Sequence, residues 1–267
     1  MAQSRRLIVD PTQVQGNHLA LTAEQHHYLC DILRLRSGDR FIALDGQGQA
    51  WQAVLKAGTA VESSRSPYTA TLLAPLTLPS EPLSPITLMT ALPKGNAFDE
   101  VVRQATELGV MRIVPVLSDR TLLRPSVQKL ERWRRIALEA TEQSERAIAP
   151  TILDPCPFPV AVEQWQAESP RPMAAMCVAR REAIHLLNWL PGMTKSPLAA
   201  GVWVAVGPEG GWTEAEVAQA IAAGFDPVSL GGPILRAVTA AIAAVCLVSA
   251  AYQAQQPDIP DIHRPTD

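Results

Sequence analysis

The sequence predicts a two-domain protein in which a small β-rich barrel precedes an α/β domain built on a mostly parallel sheet. Three observations carry that expectation. Short β-prone runs separated by turn signals fill the first seventy or so residues. A proline-rich stretch follows at 75–85. Beyond it, strands alternate with helices of clear 3.6-residue periodicity. The predicted boundaries are 1–74 for the first domain, 75–85 for a linker, 86–252 for the second domain and 253–267 for a tail.

In the first domain the runs Leu7–Val9, Phe41–Leu44, Trp51–Leu55 and Tyr68–Leu73 read as strands, punctuated by Ser37-Gly38-Asp39 and Asp45-Gly46-Gln47-Gly48. One helix interrupts them, because Thr22 and Gln25 stand at capping-box spacing and Leu29, Ile32 and Leu33 follow at helical intervals. Pro75, Pro79, Pro82 and Pro85 deny the linker both backbone donors and helical geometry. Next come a strand at Ile86–Leu92, a helix burying Phe98, Val101, Val102, Ala105 and Leu108 and ended by Gly109, and a strand at Arg112–Leu117. Val127 to about Glu145 reads as a helix burying Leu130, Trp133 and Ala137, and Met173–Val178 as a further strand. Two strand–loop–helix units close the domain. Val202–Val206 leads into GPEGGWTEAE, and Pro227–Leu230 leads into GGPILRAVTAA. Val238–Tyr252 is so uniformly apolar that burial all round is expected. From Gln253 the chain has three prolines and little apolar content, which predicts a disordered tail.

Composition narrows the function classes. Nearly half the residues are apolar and fewer than a fifth charged, enough for sizeable cores. A net charge of −3 excludes wholesale phosphate binding, but Arg120–Arg135 carries six basic residues against Glu131 alone, so nucleic-acid contact is expected to be local. Cys30, Cys156, Cys177 and Cys246 are far apart and form no CxxC pair, which predicts reduced thiols and no metal. The basic start has no apolar stretch after it, and no apolar run approaches the roughly 20 residues of a membrane span, so the expected location is cytoplasmic. His26 and His27 point apart on a helix and read as structural.

The chemistry concentrates in the closing loops. Thr213 and Glu216 at capping-box spacing start a helix, which leaves Gly207-Pro208-Glu209-Gly210-Gly211 as a loop at the carboxyl end of a strand, the edge where open α/β sheets take ligands. Its glycines let backbone groups approach a ligand closely, suiting an adenine edge or an amino-acid moiety; a mere tight turn is the lesser alternative for this loop alone. No GxxxxGK[ST] or GxGxxG motif supports triphosphate or dinucleotide binding. In the second loop Arg236 stands alone at the mouth of an apolar helix, either tying loops together through carbonyl oxygens or stabilising negative charge on a substrate.

Taken together, ALPKGNAFDEVVRQATELGV (91–110), ALEATEQSERAIAP (137–150), VAVGPEGGWTEAE (204–216) and LGGPILRAVTA (230–240), with RRLIVD (5–10) and HHYLCDILRLRSGD (26–39), resemble the bacterial 16S rRNA uridine-N3 methyltransferases of the trefoil-knotted SPOUT superfamily. The resemblance implies a PUA-like β-barrel RNA-binding domain, a SPOUT α/β-knot methyltransferase domain, S-adenosylmethionine as cofactor, a homodimer, and 16S rRNA or the small ribosomal subunit as partner. It implies cofactor contacts from Val206, Gly207, Pro208, Glu209, Gly210, Gly211, Leu230, Gly231, Ile234, Leu235 and Thr239. Arg236 is the implied catalytic residue. RNA contacts, through phosphates rather than base edges, are expected from Arg5, Arg6, Arg34 and Arg36 in the first domain and from Lys94, Arg103, Arg120 and Arg124 around the second. Three positions depart from the family pattern: Pro233 stands where arginine is usual, Val238 where glutamate is frequent, and Glu145 where glycine is common. The alternatives are a ribosomal-RNA-binding protein that keeps the fold without catalysis, and an enzyme acting on a small molecule through the same loops.

Overall fold

The structure, a computed structural model, describes residues 5–56, 68–78, 85–122, 124–190 and 200–254. Its internal contacts divide the chain into two units, Met1–Pro79 with Thr141–Ala149, and Ser80–Ala140 with Pro150–Asp267.

The first unit is a six-stranded sheet of β1 (Arg6–Ile8), β2 (Val14–Gln15), β3 (His18–Ala20), β4 (Arg40–Leu44), β5 (Ala50–Leu55) and β6 (Thr69–Pro75). The spatial order is β1-β4-β5-β6-β3-β2, and all pairs are antiparallel except β1 with β4. The β2–β3 hairpin is absent from the sequence reading, although Gly16-Asn17, with Gly16 at φ +62°, is a hairpin-turn pair. α1 (Ala23–His27) starts at the expected capping box: the Thr22 hydroxyl accepts from Gln25 N at 3.1 Å and Gln25 Oε1 accepts from Thr22 N at 2.9 Å. It widens into a π turn over Tyr28–Ile32. One apolar cluster fills this unit, taking Leu7, Leu19, Phe41, Ala53 and Leu72 from the strands and Leu29 from the π turn. β6 runs through Pro75, so the first residues of the predicted linker are strand; 79–84 lie outside the described residues, as does all but the start of the predicted tail.

The second unit is organised around a sheet of β7 (Ile86–Ala91), β8 (Arg112–Leu117), β9 (Thr151–Ile152), β10 (Cys156–Pro157), β11 (Met173–Cys177), β12 (Ile184–His185), β13 (Val202–Val206) and β14 (Asp226–Ser229). Every pairing is parallel; the order is β10-β8-β7-β13-β11-β14-β12, with β9 also on β8. The helices are α2 (Ala97–Glu107), α3 (Val127–Gln143), α4 (Phe158–Gln166), α5 (Leu186–Trp189), α6 (Glu214–Ala223) and α7 (Ala237–Gln253). Alternate residues of β13 show how both faces are covered. Val202, Val204 and Val206 join a core with Phe98, Trp133 and Val245, whereas Trp203 and Ala205 join one with Phe158, Trp165 and Phe225. A parallel sheet covered on both faces needs apolar side chains at consecutive positions, which is why VWVAV reads as an unbroken run.

Two expectations are corrected. α7 is not buried all round: Ala237, Ala241, Ala244, Val245, Val248 and Tyr252 face the core against α2, α5, β7 and β13, while Thr239, Cys246 and Ala250 are exposed and Val238, Ile242, Ala243 and Leu247 are only half-buried. The predicted unbroken second domain is interrupted, because 141–149 packs with the first unit. There the Arg6 guanidinium donates to the Glu145 carbonyl at 2.8 Å and to its carboxylate at 2.7 Å, and Glu142 Oε1 accepts from Ile8 N.

Candidate functional site

Five loops leave the carboxyl ends of β7, β8, β11, β13 and β14, and the last three, with Arg120 from the loop after β8, enclose a cleft of about 890 Å³ in the second unit. The two walls named from sequence meet here: Val206, Gly207, Pro208, Glu209, Gly210 and Gly211 from one loop, and Leu230, Gly231, Ile234 and Leu235 from the other, with Pro233 among them. Thr239 is exposed one turn into α7 and does not line the cleft. The third wall, Val178 to Glu182 after β11, escaped the sequence reading. Its signal was present in the charged Arg180-Arg181-Glu182 that follows a buried strand. Arg180 sits at φ +58°, where a non-glycine residue is uncommon, and Arg181 pairs with Glu214 across the cleft's rim.

Local chemistry fixes the glycine loop. Gly211 N donates to the Pro208 carbonyl at 2.8 Å, closing a turn that Gly211 completes at φ +70°. Thr213 caps α6 as expected, its hydroxyl accepting from Glu216 N at 3.2 Å. Glu216 is buried, and its carboxylate accepts from Thr213 N at 2.7 Å and from Asp119 N at 3.0 Å, joining this loop to the one after β8. Glu209 accepts from Lys94 N at 3.0 Å, joining it to the loop after β7. Arg120 donates to the Gly210 carbonyl at 2.5 Å and to that of Trp212 at 3.5 Å. Beneath the loop the Trp212 ring packs on Phe158 and against Gly207, where a Cβ would lie 3.2 Å from both ring and backbone atoms of Trp212. In the second loop the Ser229 hydroxyl accepts from Gly231 N at 3.1 Å, with Gly231 at φ +113°.

Arg236 is the N-terminal boundary residue of α7, exposed, and its side chain does not cap the helix. Among the described residues its guanidinium makes none of the carbonyl bonds that a loop-tying role requires. Val238 follows on the half-buried face of α7. Cys177 lines the cleft from the end of β11, and burial pushes its thiol up to about 12. Among the described residues no group of three or more His, Cys, Asp or Glu side chains is placed to hold a metal ion, and no helix is long and apolar enough to cross a membrane.

The predicted RNA contacts separate. Arg34 and Arg36 are exposed in the first unit, Arg34 at φ +59°, and Lys94 and Arg124 are exposed in the second. Arg103 is half-buried with its guanidinium 3.8 Å from Glu100. Arg6 departs from the expectation: its side chain is 9% exposed and engaged by Glu145, so it serves the scaffold.

Comparison with known proteins agrees with this architecture. Residues 79–249 match a family described as an RNA methyltransferase domain, and 21–60 match an RNA methyltransferase PUA domain. The ribosomal RNA small subunit methyltransferase E of Synechocystis sp. is 44% identical over 245 residues, covering 92% of this chain and 77% of that protein. That of Bacillus subtilis is 26% identical, covering 88% of this chain and 90% of its own. The crystal structure of the Neisseria gonorrhoeae enzyme of the same name, bound to S-adenosyl methionine, superposes with a TM-score of 0.78 at 29% identity over 93% of this chain and 98% of that one. With its family match spanning most of the chain and a relative this similar along nearly its whole length, the protein belongs to the RNA methyltransferase family that contains the ribosomal RNA small subunit methyltransferases E.

Proposed function

We propose that this chain transfers the methyl group of S-adenosylmethionine to N3 of a uridine in the 16S RNA of the small ribosomal subunit. The observation that carries the reading is the convergence of two glycine loops on one cleft at the carboxyl edge of a parallel sheet; Arg236, exposed between the lining residues Leu235 and Ala237, does not itself line it. The cleft fits the cofactor. Its volume of about 890 Å³ lies within the usual range for such ligands, and Gly207, Gly210 and Gly231 bring bare backbone groups to its surface. When bound, S-adenosylmethionine supplies an electrophilic methyl group on a sulfonium sulfur.

The chain's own residues then have three tasks. Val206 to Gly211 and Leu230 to Leu235 hold and orient the donor, which removes most of the entropic barrier to an in-line approach. Cys177, held protonated by burial, offers no thiolate to compete for the methyl group. Arg236 faces the negative charge that spreads over the uracil carbonyl oxygens as the N3 proton leaves. The outward face of α7, with Cys246 and Ala250 exposed and Ile242, Ala243 and Leu247 half-buried, supports a homodimer formed through this helix, next to Arg236 and Thr239. Arg34, Arg36, Lys94 and Arg124 are the exposed cations offered to RNA phosphates, and the expected compartment is the cytoplasm.

Pro233 and Val238 favour one other reading, a protein that binds the subunit without methylating it. Wild type and Arg236→Ala, incubated with labelled S-adenosylmethionine and unmodified small subunits, separate the two. Label in the RNA with wild type, reduced about 100-fold or more in the variant at unchanged thermal stability, supports the proposal. Subunit binding with no label from wild type supports the alternative.

A further inference from the structure

Arg120 belongs to the basic segment that composition assigned to nucleic acid, yet its guanidinium is directed at the cofactor loop. Nη1 donates to the carbonyl of Gly210 at 2.5 Å and lies 3.5 Å from that of Trp212. The nitrogen of the same peptide group makes the consequence specific. Gly211 N donates to Pro208 O at 2.8 Å, so the Gly210–Gly211 peptide is held at its oxygen by Arg120 and at its nitrogen by Pro208. A peptide between two glycines has little side-chain resistance to rotation about its flanking dihedrals, and a flip would reverse both groups. Rotation here breaks the bond to Arg120 and the bond to Pro208 together. The stem takes part as well, since a Cβ on Gly210 would stand 3.2 Å from Arg120 Cδ. The loop after β8 is also fixed independently through Asp119 N on the buried Glu216 carboxylate, so Arg120 projects from an anchored base.

We infer that Arg120 is a positioning residue that locks the Gly210–Gly211 peptide in the orientation the cleft needs for its ligand, and that it is not a phosphate contact. The inference rests on the reading of the cleft as the S-adenosylmethionine site. A lock of this kind acts on the population of binding-competent loop, so its loss weakens cofactor affinity and leaves turnover at saturation nearly unchanged.

Arg120→Met tests this, because it keeps the stem against Gly210 and removes the hydrogen bonds; Arg120→Lys restores one donor. S-adenosylmethionine binding is measured by calorimetry without RNA, affinity for unmodified small subunits is measured across a salt series, and turnover is measured at saturating cofactor. The expected result is a rise in cofactor Kd of about tenfold in Arg120→Met, a smaller rise in Arg120→Lys, and turnover and RNA salt dependence within about twofold of wild type. Retained RNA affinity also shows that the variant is folded. Unchanged cofactor Kd with weaker RNA binding and a salt slope smaller by about one makes Arg120 a phosphate contact and overturns the inference. Loss of turnover at saturation with unchanged Kd overturns it too. Failure of wild type itself to bind S-adenosylmethionine overturns both this inference and the reading beneath it.

Discussion

Glu145 occupies a position where a resembling sequence usually has glycine, and its backbone explains both choices. At φ +63° the residue lies in the left-handed region that glycine enters freely and a side chain enters at a cost of roughly 1–2 kcal/mol. Glutamate offsets that cost by giving the buried Arg6 guanidinium a carboxylate as well as a carbonyl. Glu145→Ala keeps the backbone cost and leaves Arg6 only the residue-145 carbonyl, so urea unfolding is expected to show a loss of about 2 kcal/mol, less than for a fully buried pair because Glu145 is 35% exposed. Glu145→Gly loses the same pair but relieves the backbone and is expected to fall closer to wild type. Gly207 is constrained differently: Gly207→Ala drives a methyl group against Trp212 and is expected to cost about 1–3 kcal/mol and to weaken cofactor binding, as read by thermal shift with and without ligand. The Cys177 thiol, pushed up to about 12, should resist alkylation at pH 8 when peptides are mapped by mass spectrometry. Burial keeps this thiol protonated in the folded state. Its stabilising contribution is therefore fully present below the ordinary value of 9.0 and is lost as pH rises through about 12.

At the scale of elements, legibility followed locality. The starts of α1 and α6 could be read because Thr22, Gln25, Thr213 and Glu216 each act within four residues of one another. β13 could be read because an unbroken apolar run has one explanation in a covered parallel sheet. The wall after β11 was missed because Arg180, Arg181 and Glu182 look like a solvated turn until β11 is known to lie beside β13 and β14. The same nonlocality hides the partners of Arg6 and Arg120, which lie 139 and 90 residues away. α7 shows the opposite failure. Its composition suggests burial all round, yet on one face Thr239, Cys246 and Ala250 are exposed. If that face pairs two copies, Cys246→Glu places a charge in the interface. The variant is then expected to sediment as a monomer and to lose methyl transfer, whereas wild type sediments as a dimer; a wild-type monomer with full activity contradicts the dimer.

On the scale of the whole molecule, the order of strands in space departs furthest from their order in the chain. β13 inserts between β7 and β11, and β14 between β11 and β12, so the last two strands of the chain occupy interior positions. This brings loops 90 to 115 residues apart in sequence to one sheet edge, with Lys94 and Arg120 beside Glu209 and Gly210. A composition of net charge −3 gives no hint of that assembly, and the return of 141–149 to the first unit is equally nonlocal. In the proposed function the assembled cleft delivers a methyl group to one nitrogen of one base type. The most direct test digests small-subunit RNA to nucleosides after incubation with the protein and S-adenosylmethionine. The expected product is 3-methyluridine, absent when the cofactor is withheld; a different methylated nucleoside, or none despite measurable cofactor and subunit binding, contradicts the proposed function.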